Sequence, residues 1–324
     1  MTKLDKPIFN RLALIGAGLI GGSIARAARA QGAAGSIVAT ARSAASRKRI
    51  AELGFADQVL ESNAAAVEGA DLVIVCIPVG ACGPVAEEIG PHLMKGATVS
   101  DVGSVKGSVM KDMAPHLPDH VHFVPAHPVA GTENSGPDAG FAELFVNRWC
   151  ILTPPENANQ AAVDKLKAFW TAIGANVETM SAEHHDLVLG ITSHLPHLIA
   201  YTIVGTADEL SNVTRSEVLK FSAGGFRDFT RIAASDPTMW RDVFLANKDA
   251  VLEMLGRFSE DLSSLTRAMR SGDGKVLYDH FARTRAIRRG IVEIGQDSAV
   301  PDFGRTHPSL PNEPLPRPYA ADTE

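Results

Sequence analysis

The stretch Leu14-Ile-Gly-Ala-Gly-Leu-Ile-Gly-Gly-Ser23 lies near the N-terminus and decides the fold. An apolar strand candidate precedes it and an alanine-rich helix candidate follows it, which is the context that a dinucleotide-binding G-x-G-x-x-G loop requires. In such a loop Gly16 permits a tight turn, Gly18 leaves room for a pyrophosphate, and Gly21 lets helix and strand pack closely. An ordinary glycine-rich turn is the alternative. We predict a dinucleotide site that includes Gly16, Gly18, Leu19, Ile20 and Gly21.

Short apolar runs alternate with helical stretches through the first half of the chain. They are residues 12–15, 37–40, 72–77, 98–101, 122–126, 149–152 and 176–180. Continuous apolar strands between helices are typical of a parallel sheet that is covered on both faces. We therefore predict a Rossmann-type α/β domain with a doubly wound parallel sheet over residues 8–180. Ligands of such sheets bind at the carboxyl edge, so Pro78, which follows the third strand candidate, is expected to contact the cofactor.

From Ser181 onward the strand signal disappears, and residues 181–295 are predicted to form an all-helical substrate-binding and dimerisation domain. Apolar residues recur at helical spacing from Pro237 to Arg270, which predicts one helix roughly 50 Å long at about 1.5 Å per residue. A small domain does not cover such a helix, so we expect a homodimer, a helix buried within one subunit being the alternative. The tail, residues 296–324, carries six prolines and is expected to be disordered.

Composition limits the class of function. The chain of 324 residues is 45% hydrophobic and 21% charged, which is typical of a soluble globular protein. A net charge of -6 argues against nucleic acid as a partner. No apolar run approaches the roughly 18 residues of a membrane span and the N-terminus lacks a signal peptide's apolar core, so we expect a cytoplasmic protein without membrane partners. Cys76, Cys82 and Cys150 form no C-x-x-C pair, so neither a disulfide nor a zinc site is expected.

The end of the second strand candidate bears on the choice of cofactor. It reads Ala41-Arg42-Ser43, where NAD-binding proteins of this type carry an acidic residue for the ribose 2'-hydroxyl. Arg42 and Ser43, with Arg47 and Lys48 nearby, suit a 2'-phosphate instead. We predict NAD(P) as the cofactor and favour NADP over NAD. In the alternative, Arg42 stacks on the adenine and either cofactor binds.

Two polar segments that follow predicted strands are candidates for chemistry. Ser104, in Ser100-Asp-Val-Gly-Ser104-Val-Lys106, is placed to hydrogen-bond a substrate hydroxyl or the cofactor ribose, although capping of the next helix explains it nearly as well. His127, in His127-Pro-Val-Ala-Gly131, directly follows a strand candidate, and its imidazole suits proton transfer from an alcohol as hydride departs. Glu133 lies two residues beyond this segment.

Two further groups lie in the helical half. His194 and His197 share a helix face at a spacing that suits a metal, with Glu183, His184, His185 or Asp186 as further ligands, but no H-E-x-x-H pattern accompanies them. We expect no metal, a pocket contact from His197 and a supporting role for His194. In Gly224-Gly-Phe-Arg227-Asp228-Phe-Thr-Arg231, two guanidinium groups lie four residues apart, with a solvated surface as the alternative. Arginine binds carboxylates through two hydrogen bonds and Asp228 can hold it in place, so an anionic substrate is expected.

Five segments in this order resemble the prephenate/arogenate dehydrogenase family over about residues 10 to 295. They are Gly16-Ala-Gly-Leu-Ile-Gly-Gly-Ser23, Asp101-Val-Gly-Ser-Val-Lys106, His127-Pro-Val-Ala-Gly131, Ser193-His-Leu-Pro-His197 and Phe226-Arg-Asp-Phe-Thr-Arg231. The resemblance implies oxidative decarboxylation of a cyclohexadienol in tyrosine biosynthesis, with hydride transfer to NAD(P)+.

The resemblance also implies a role for each site residue. His127 accepts the hydrogen bond and then the proton of the ring hydroxyl, and Ser104 supports it. Arg231 binds a substrate carboxylate, His197 contributes to the pocket, and Asp228 positions the arginine. Glu133 helps to control access to the pocket. One departure concerns the cofactor: many family members carry an aspartate at the position of Ala41 and use NAD.

Two other functions share parts of this pattern. A β-hydroxyacid dehydrogenase or imine reductase also joins a Rossmann half to a helical half, but such enzymes commonly rely on a lysine in the helical half, and no glycine-flanked lysine there competes with His127. A non-catalytic NADP sensor would need the glycine loop but not Ser104, His127 and Arg231. The choice between prephenate and arogenate stays open.

Overall fold

The computed structural model describes residues 3–132, 134–209 and 224–293. By its internal contacts the chain divides into two compact units, residues 1–256 and 257–324. Every predicted site residue that the structure describes belongs to the first unit.

A six-stranded parallel sheet forms the centre of the first unit. Its strands are β1 (Phe9–Ile15), β2 (Ala34–Thr40), β3 (Gln58–Leu60), β4 (Leu72–Val75), β5 (Thr98–Asp101) and β6 (His122–Phe123), in the order β3-β2-β1-β4-β5-β6. This is the strand order of the Rossmann fold, and the order reverses between β1 and β4. The predicted fold class is confirmed, although the sequence analysis missed the short strand β3.

Alternate residues of the central strand β1 pack into different layers. Leu12 and Leu14 belong to one buried apolar cluster, while Ala13 and Ile15 belong to another on the opposite face. The surrounding helices are α1 (Leu19–Gln31), α2 (Ala44–Leu53), α3 (Asn63–Val67), α4 (Cys82–Ile89), α5 (Lys106–Met113) and α6 (Gln160–Ala172). Burial on both faces explains why these strands are continuously apolar.

A second sheet of three strands lies beyond the parallel one. Strand β7 (Ala126–Pro128) runs antiparallel to β8 (Trp149–Leu152), and β8 runs parallel to β9 (Asn176–Thr179). The prediction of one strand over residues 122–126 was therefore wrong. Pro125 has no backbone N–H to give to the parallel ladder, and β6 ends before it. As a consequence His127 lies inside β7, opposite Ile151, and not in a loop after a strand.

All regular structure described after Thr179 is helical, as predicted. Within it α7 (Ala182–Leu189) continues through the π-helical turn Gly190–His194 into α8 (Leu195–Glu209). Then come α9 (Gly224–Thr230), the 3₁₀ turn Arg231–Ala234, α10 (Pro237–Ala246), α11 (Lys248–Ser271) and α12 (Gly274–Glu293).

The predicted single helix from Pro237 to Arg270 is two helices. The backbone of Asn247, with φ -105° and ψ 31°, interrupts it between α10 and α11. The side chain of Asn247 donates hydrogen bonds to other segments, which a continuous amphipathic pattern does not reveal.

The segment Ala182–Glu209 is long and apolar enough to cross a membrane by length and composition, contrary to the expectation that no such stretch exists. Core helices of soluble proteins pass the same test, and this segment holds the buried His185 and His194.

The second unit begins within α11 and includes α12. Its described part carries many large apolar side chains that are exposed in the single chain: Phe258, Leu262, Met269, Val276, Tyr278, Phe281 and Ile287. The predicted disordered tail lies outside the described residues.

Candidate active site

The glycine loop after β1 has the geometry that a pyrophosphate site requires. Gly16 has a φ of +89°, and a Cβ there would lie 2.7 Å from the carbonyl oxygen of Cys76. A Cβ on Gly21 would collide with the carbonyl oxygen of Gly16, whereas one on Gly18 would meet no atom within 4 Å. Gly18 also begins α1 and provides no side-chain cap, so the first N–H groups of α1 are available to an anion.

The carboxyl edge of the sheet brings other predicted residues to the same side of the fold. Pro78 is exposed after β4, and Ser104 is partly buried after β5. Ser104 does not cap α5. The helix begins at Lys106, and the backbone N–H groups of Lys106 and Gly107 both donate to the carboxylate of Asp186 at 2.8 Å. The alternative explanation of Ser104 as a helix cap is therefore wrong.

His127 stands at one end of a buried chain of polar side chains. Its Nδ1 atom lies 2.8 Å from Nε2 of His185, and Nδ1 of His185 lies 2.8 Å from Oδ1 of Asp186. Both rings are buried, His127 with 8% and His185 with 0% exposure. The carboxylate of Asp186 thus accepts hydrogen bonds from His185 and from the first backbone N–H groups of α5. Through His185 it is also linked to His127 in the second sheet.

A buried ion pair contacts the residue that precedes His127. Lys106 and Asp101 contact one another with no exposed side-chain area. The Nζ of Lys106 also donates to the carbonyl oxygen of Ala126 at 2.7 Å, and Oδ1 of Asp101 accepts from the Ala126 N–H at 3.2 Å. This pair therefore holds both backbone groups of the residue that precedes His127.

The helical segment adds His194 and His197. Nδ1 of His194 lies 3.0 Å from the side-chain nitrogen of Asn247, which also donates to the carbonyl oxygen of Asp186 at 2.8 Å. Nδ1 of His197 donates to the carbonyl oxygen of Ser193 at 2.8 Å, and its ring stacks on Trp240 with centroids 3.6 Å apart. His194 is thus held inside the fold, while His197 is partly exposed and keeps Nε2 for another partner.

Arg231 and Asp228 lie beside this segment but have different surroundings. Burial lowers the pKa of the His197 imidazole, and the nearby guanidinium of Arg231 lowers it further. Asp228 is exposed and accepts a hydrogen bond from Arg227 at 3.1 Å. Glu133 lies outside the described residues.

Burial keeps the histidines of the site uncharged. It lowers the pKa of His127 well below the usual 6.5, with the neighbouring His185, Lys106 and His194 acting in the same direction. It lowers the pKa of His194 to about 4 and also lowers the pKa of His185, where the hydrogen bond and the charge of Asp186 oppose the shift. A neutral imidazole at position 127 is available as a proton acceptor.

Comparisons with known proteins match both halves of the chain to one family. The family model of the prephenate dehydrogenase nucleotide-binding domain matches residues 24–179, and that of the prephenate dehydrogenase dimerization domain matches residues 181–283. A cyclohexadienyl dehydrogenase from Zymomonas mobilis is 44% identical over 284 residues, which are 88% of this chain and 97% of that protein. The chain belongs to the prephenate dehydrogenase family.

Other members of the prephenate dehydrogenase family support the assignment. Prephenate dehydrogenase from Bacillus subtilis is 33% identical over 93% of this chain and 81% of that protein. A crystal structure of the A. aeolicus enzyme, in complex with hydroxyphenyl propionate and NAD+, superposes with a TM-score of 0.81 and 34% identity, over 87% of this chain and 98% of that one. The chain is accordingly an oxidoreductase of tyrosine biosynthesis.

The residues predicted at the adenosine end of this dehydrogenase differ in their availability. The hydroxyl of Ser43 caps α2 by accepting from the Ser46 N–H, and Arg47 donates to the carbonyl oxygens of Ala41 and Arg42. The Arg42 side chain is exposed and has no ion-pair partner in the described part of the chain. Of the two predicted arginines, Arg47 is hydrogen-bonded within the protein, so the guanidinium of Arg42 is the more available to a ligand.

Sequence reasoning missed four residues of this dehydrogenase site. His185 and Asp186 were considered only as metal ligands, Lys106 received no role, and Asn247 was taken as part of a continuous helix. No group of three or more metal-ligating side chains occurs in the ranges that the structure describes, and Cys76, Cys82 and Cys150 are free thiols. The sequence held a signal for one of them, Lys106, which is a charged residue close to Asp101 at the end of an apolar strand candidate.

Proposed function

We propose that this protein oxidatively decarboxylates prephenate, arogenate or both with NAD(P)+, and that His127 is the base for the ring hydroxyl. The observation that carries the proposal is the buried chain from His127 through His185 to Asp186. Support comes also from the relatives, which are named cyclohexadienyl and prephenate dehydrogenases.

The chain of hydrogen bonds selects one tautomer of His127. Asp186 accepts three hydrogen bonds, two of them from backbone N–H groups, and so acts as a carboxylate toward Nδ1–H of His185. Nε2 of the neutral His185 is then an acceptor, and Nδ1 of His127 must donate to it. This leaves Nε2 of His127 with a free lone pair, which is what a base for an alcohol requires.

The proton taken from the substrate has a place to go. As hydride leaves the ring carbon, the hydroxyl becomes acidic and gives its proton to Nε2 of His127. Positive charge on His127 is then shared through Nδ1–H with His185, whose other nitrogen faces the Asp186 carboxylate. The ring carboxylate departs as carbon dioxide and leaves its bonding electrons in the ring, which becomes an aromatic phenolate and takes the proton back from His127. Aromatisation makes the reaction strongly favourable.

Other residues are proposed to bind the substrate. Arg231 holds a substrate carboxylate through paired hydrogen bonds, and His197 contributes Nε2 to the pocket. Ser104 hydrogen-bonds the ring hydroxyl beside His127, and the exposed Asp228 orders the arginine segment. Glu133 is proposed, from the family resemblance alone, to control access to the pocket.

The glycine loop supports the cofactor proposal. The open space at Gly18 and the uncapped start of α1 suit a pyrophosphate. Leu19, Ile20 and Pro78 are proposed to contact the cofactor near the carboxyl edge of the sheet. When bound, the nicotinamide accepts the hydride. We infer that NADP is accepted at least as well as NAD, because Ala41 offers no carboxylate against a 2'-phosphate and the exposed Arg42 offers a cation.

We also propose a cytoplasmic homodimer, with domains at residues 8–180 and 181–295. Support comes from the match of residues 181–283 to a dimerization domain and from the exposed apolar side chains of α11 and α12. Light scattering at micromolar concentration should give twice the mass of the chain, and a stable monomer would contradict the dimer.

The experiment that tests the function is a set of initial rates with prephenate and arogenate, each with NAD+ and NADP+, followed through reduced nicotinamide. Turnover in any combination, with release of carbon dioxide in equal amount, supports the proposal. Silence in all four combinations contradicts it and favours another reductase substrate or a non-catalytic nucleotide sensor.

A further inference from the structure

Strand β7 is an edge strand, and its open side needs hydrogen-bond partners. In the three-stranded sheet it pairs only with β8, where the Pro125 carbonyl and the Val129 N–H face that neighbour. Successive residues of a strand turn their backbone groups to opposite sides, so the N–H and C=O of Ala126 face away from β8. Buried backbone groups are nearly always paired, which makes the partners of Ala126 a structural requirement.

Asp101 and Lys106 supply both partners. The Asp101 carboxylate accepts from the Ala126 N–H at 3.2 Å and the Lys106 ammonium donates to the Ala126 carbonyl at 2.7 Å. Asp101 also accepts from the Gly103 N–H at 2.7 Å, which fixes the loop between β5 and α5. One ion pair therefore holds both the N–H and the C=O of Ala126, the residue before His127.

Two charged side chains, and not two neutral ones, bond the backbone groups of Ala126. Both side chains have no exposed area, and burying two charges carries a desolvation cost that neutral hydrogen-bonding partners would reduce. A neutral donor and acceptor could satisfy the same two backbone groups. The charge itself must then contribute something beyond hydrogen bonding.

That contribution is the electrostatic effect of the Lys106 cation on the imidazole of His127. Burial is the main reason that this imidazole is uncharged, and three neighbouring groups lower its pKa further: His185 from α7, Lys106 from α5 and His194 from the π-helical turn. Asp101 is bonded to Lys106 and Asp186 to His185. The two histidines are neutral, so Lys106 is the full positive charge in this set. A nearby cation disfavours the imidazolium form and preserves the free lone pair.

We propose that the buried Asp101–Lys106 pair positions His127 by holding the N–H and the C=O of Ala126 on the open edge of β7, and that the positive charge of Lys106 acts on the neighbouring imidazole. The inference rests on the proposed function of His127 as the base. Lys106 acts through His127 and is not itself a catalytic residue, because its ammonium is fully buried and engaged by Asp101 and Ala126.

Two double variants separate the hydrogen bond from the charge. Asp101→Asn with Lys106→Met removes the charge and the donor to Ala126, whereas Asp101→Asn with Lys106→Gln removes the charge and keeps a donor. Lys111→Met, an exposed lysine of the same helix, is the matched control. Each protein is measured by ¹⁵N NMR titration of His127 without substrate, and then by steady-state kinetics.

In both double variants the His127 midpoint should rise toward its ordinary value of about 6.5, and the acid limb of kcat/KM should rise with it. The methionine variant should lose about 10-fold to 100-fold in kcat, and the glutamine variant less, because a shifted imidazole is poorly aligned for proton transfer. NAD+ binding and the control should match the parent.

Folded variants that keep the parental midpoint would overturn the proposal, and so would a parental kcat in the methionine variant. Failure of both double variants to fold, with the control intact, would overturn it in favour of a purely structural pair. If the parent turns over neither substrate, the proposed function fails, while the substrate-free titration still tests the effect of Lys106 on His127.

Discussion

Nε2 of His185 lies 2.8 Å from Nδ1 of His127, and the carboxylate of Asp186 on the far side of His185 decides which ring donates in that contact. Because a carboxylate only accepts, His185 must present its N–H to Asp186 and its lone pair to His127. The direction of every hydrogen bond in the chain follows from this one residue, and it leaves Nε2 of His127 unprotonated.

Replacing His185 tests this arrangement. In His185→Asn, His127 loses the acceptor that fixes its tautomer, so kcat should fall about 10-fold to 100-fold while KM for the substrate changes little. Steady-state kinetics beside His184→Asn, an exposed neighbour on the same helix, measures the effect. Equal kcat in the two variants would remove His185 from the mechanism.

The pH dependence of kcat/KM follows from the lowered pKa of His127. Protonated His127 cannot accept the hydroxyl proton, so activity is lost as pH falls through the pKa of the free enzyme. Since burial, and after it His185 and Lys106, hold this pKa well below 6.5, kcat/KM should stay level through pH 6.5 and decline only in more acidic buffer. An acid limb at or above pH 6.5 in a rate-versus-pH profile would contradict the account.

Arg231→Ala should raise KM for the substrate by about 10-fold or more, because a paired arginine–carboxylate contact is worth at least about 1.4 kcal/mol. The cofactor Kd should stay unchanged. Arg241→Ala is the control, since Arg241 is exposed and pairs with Asp242. An unchanged KM in the Arg231 variant would exclude Arg231 from substrate binding.

Arg42→Ala tests the choice of cofactor. If Arg42 contacts the 2'-phosphate, KM for NADP+ should rise about 10-fold while KM for NAD+ changes much less. Lys95→Ala, an exposed lysine just before β5, serves as control. A parallel rise for both cofactors would indicate that Arg42 stacks on the adenine, and no rise for either would place it outside the site.

Local patterns predicted the nucleotide half of the molecule well. The glycines of the loop are required by contacts within a strand–turn–helix unit, and the strands are apolar because both faces of the sheet are covered. The fold class and the position of Pro78 and Ser104 at the carboxyl edge follow from such short-range rules.

The rest depends on contacts between distant segments. His185 and Asp186 acquire their significance from His127 and α5, which lie 58 and about 80 positions earlier in the sequence. The break at Asn247 is stabilised by His194 and the Asp186 carbonyl, while the apolar spacing continues through it. No periodicity reports such partners, so the sequence identified His127 but not what orients it.

The most direct test of the central claim compares the parent with His127→Asn, using His116→Asn, an exposed histidine, as the control. The quantity to measure is kcat with the better substrate, alongside the NAD+ Kd of each protein. We expect kcat to fall about 100-fold or more in His127→Asn but not in His116→Asn, and the NAD+ Kd to stay unchanged in both. A His127→Asn protein with parental kcat would contradict the assignment of His127 as the base.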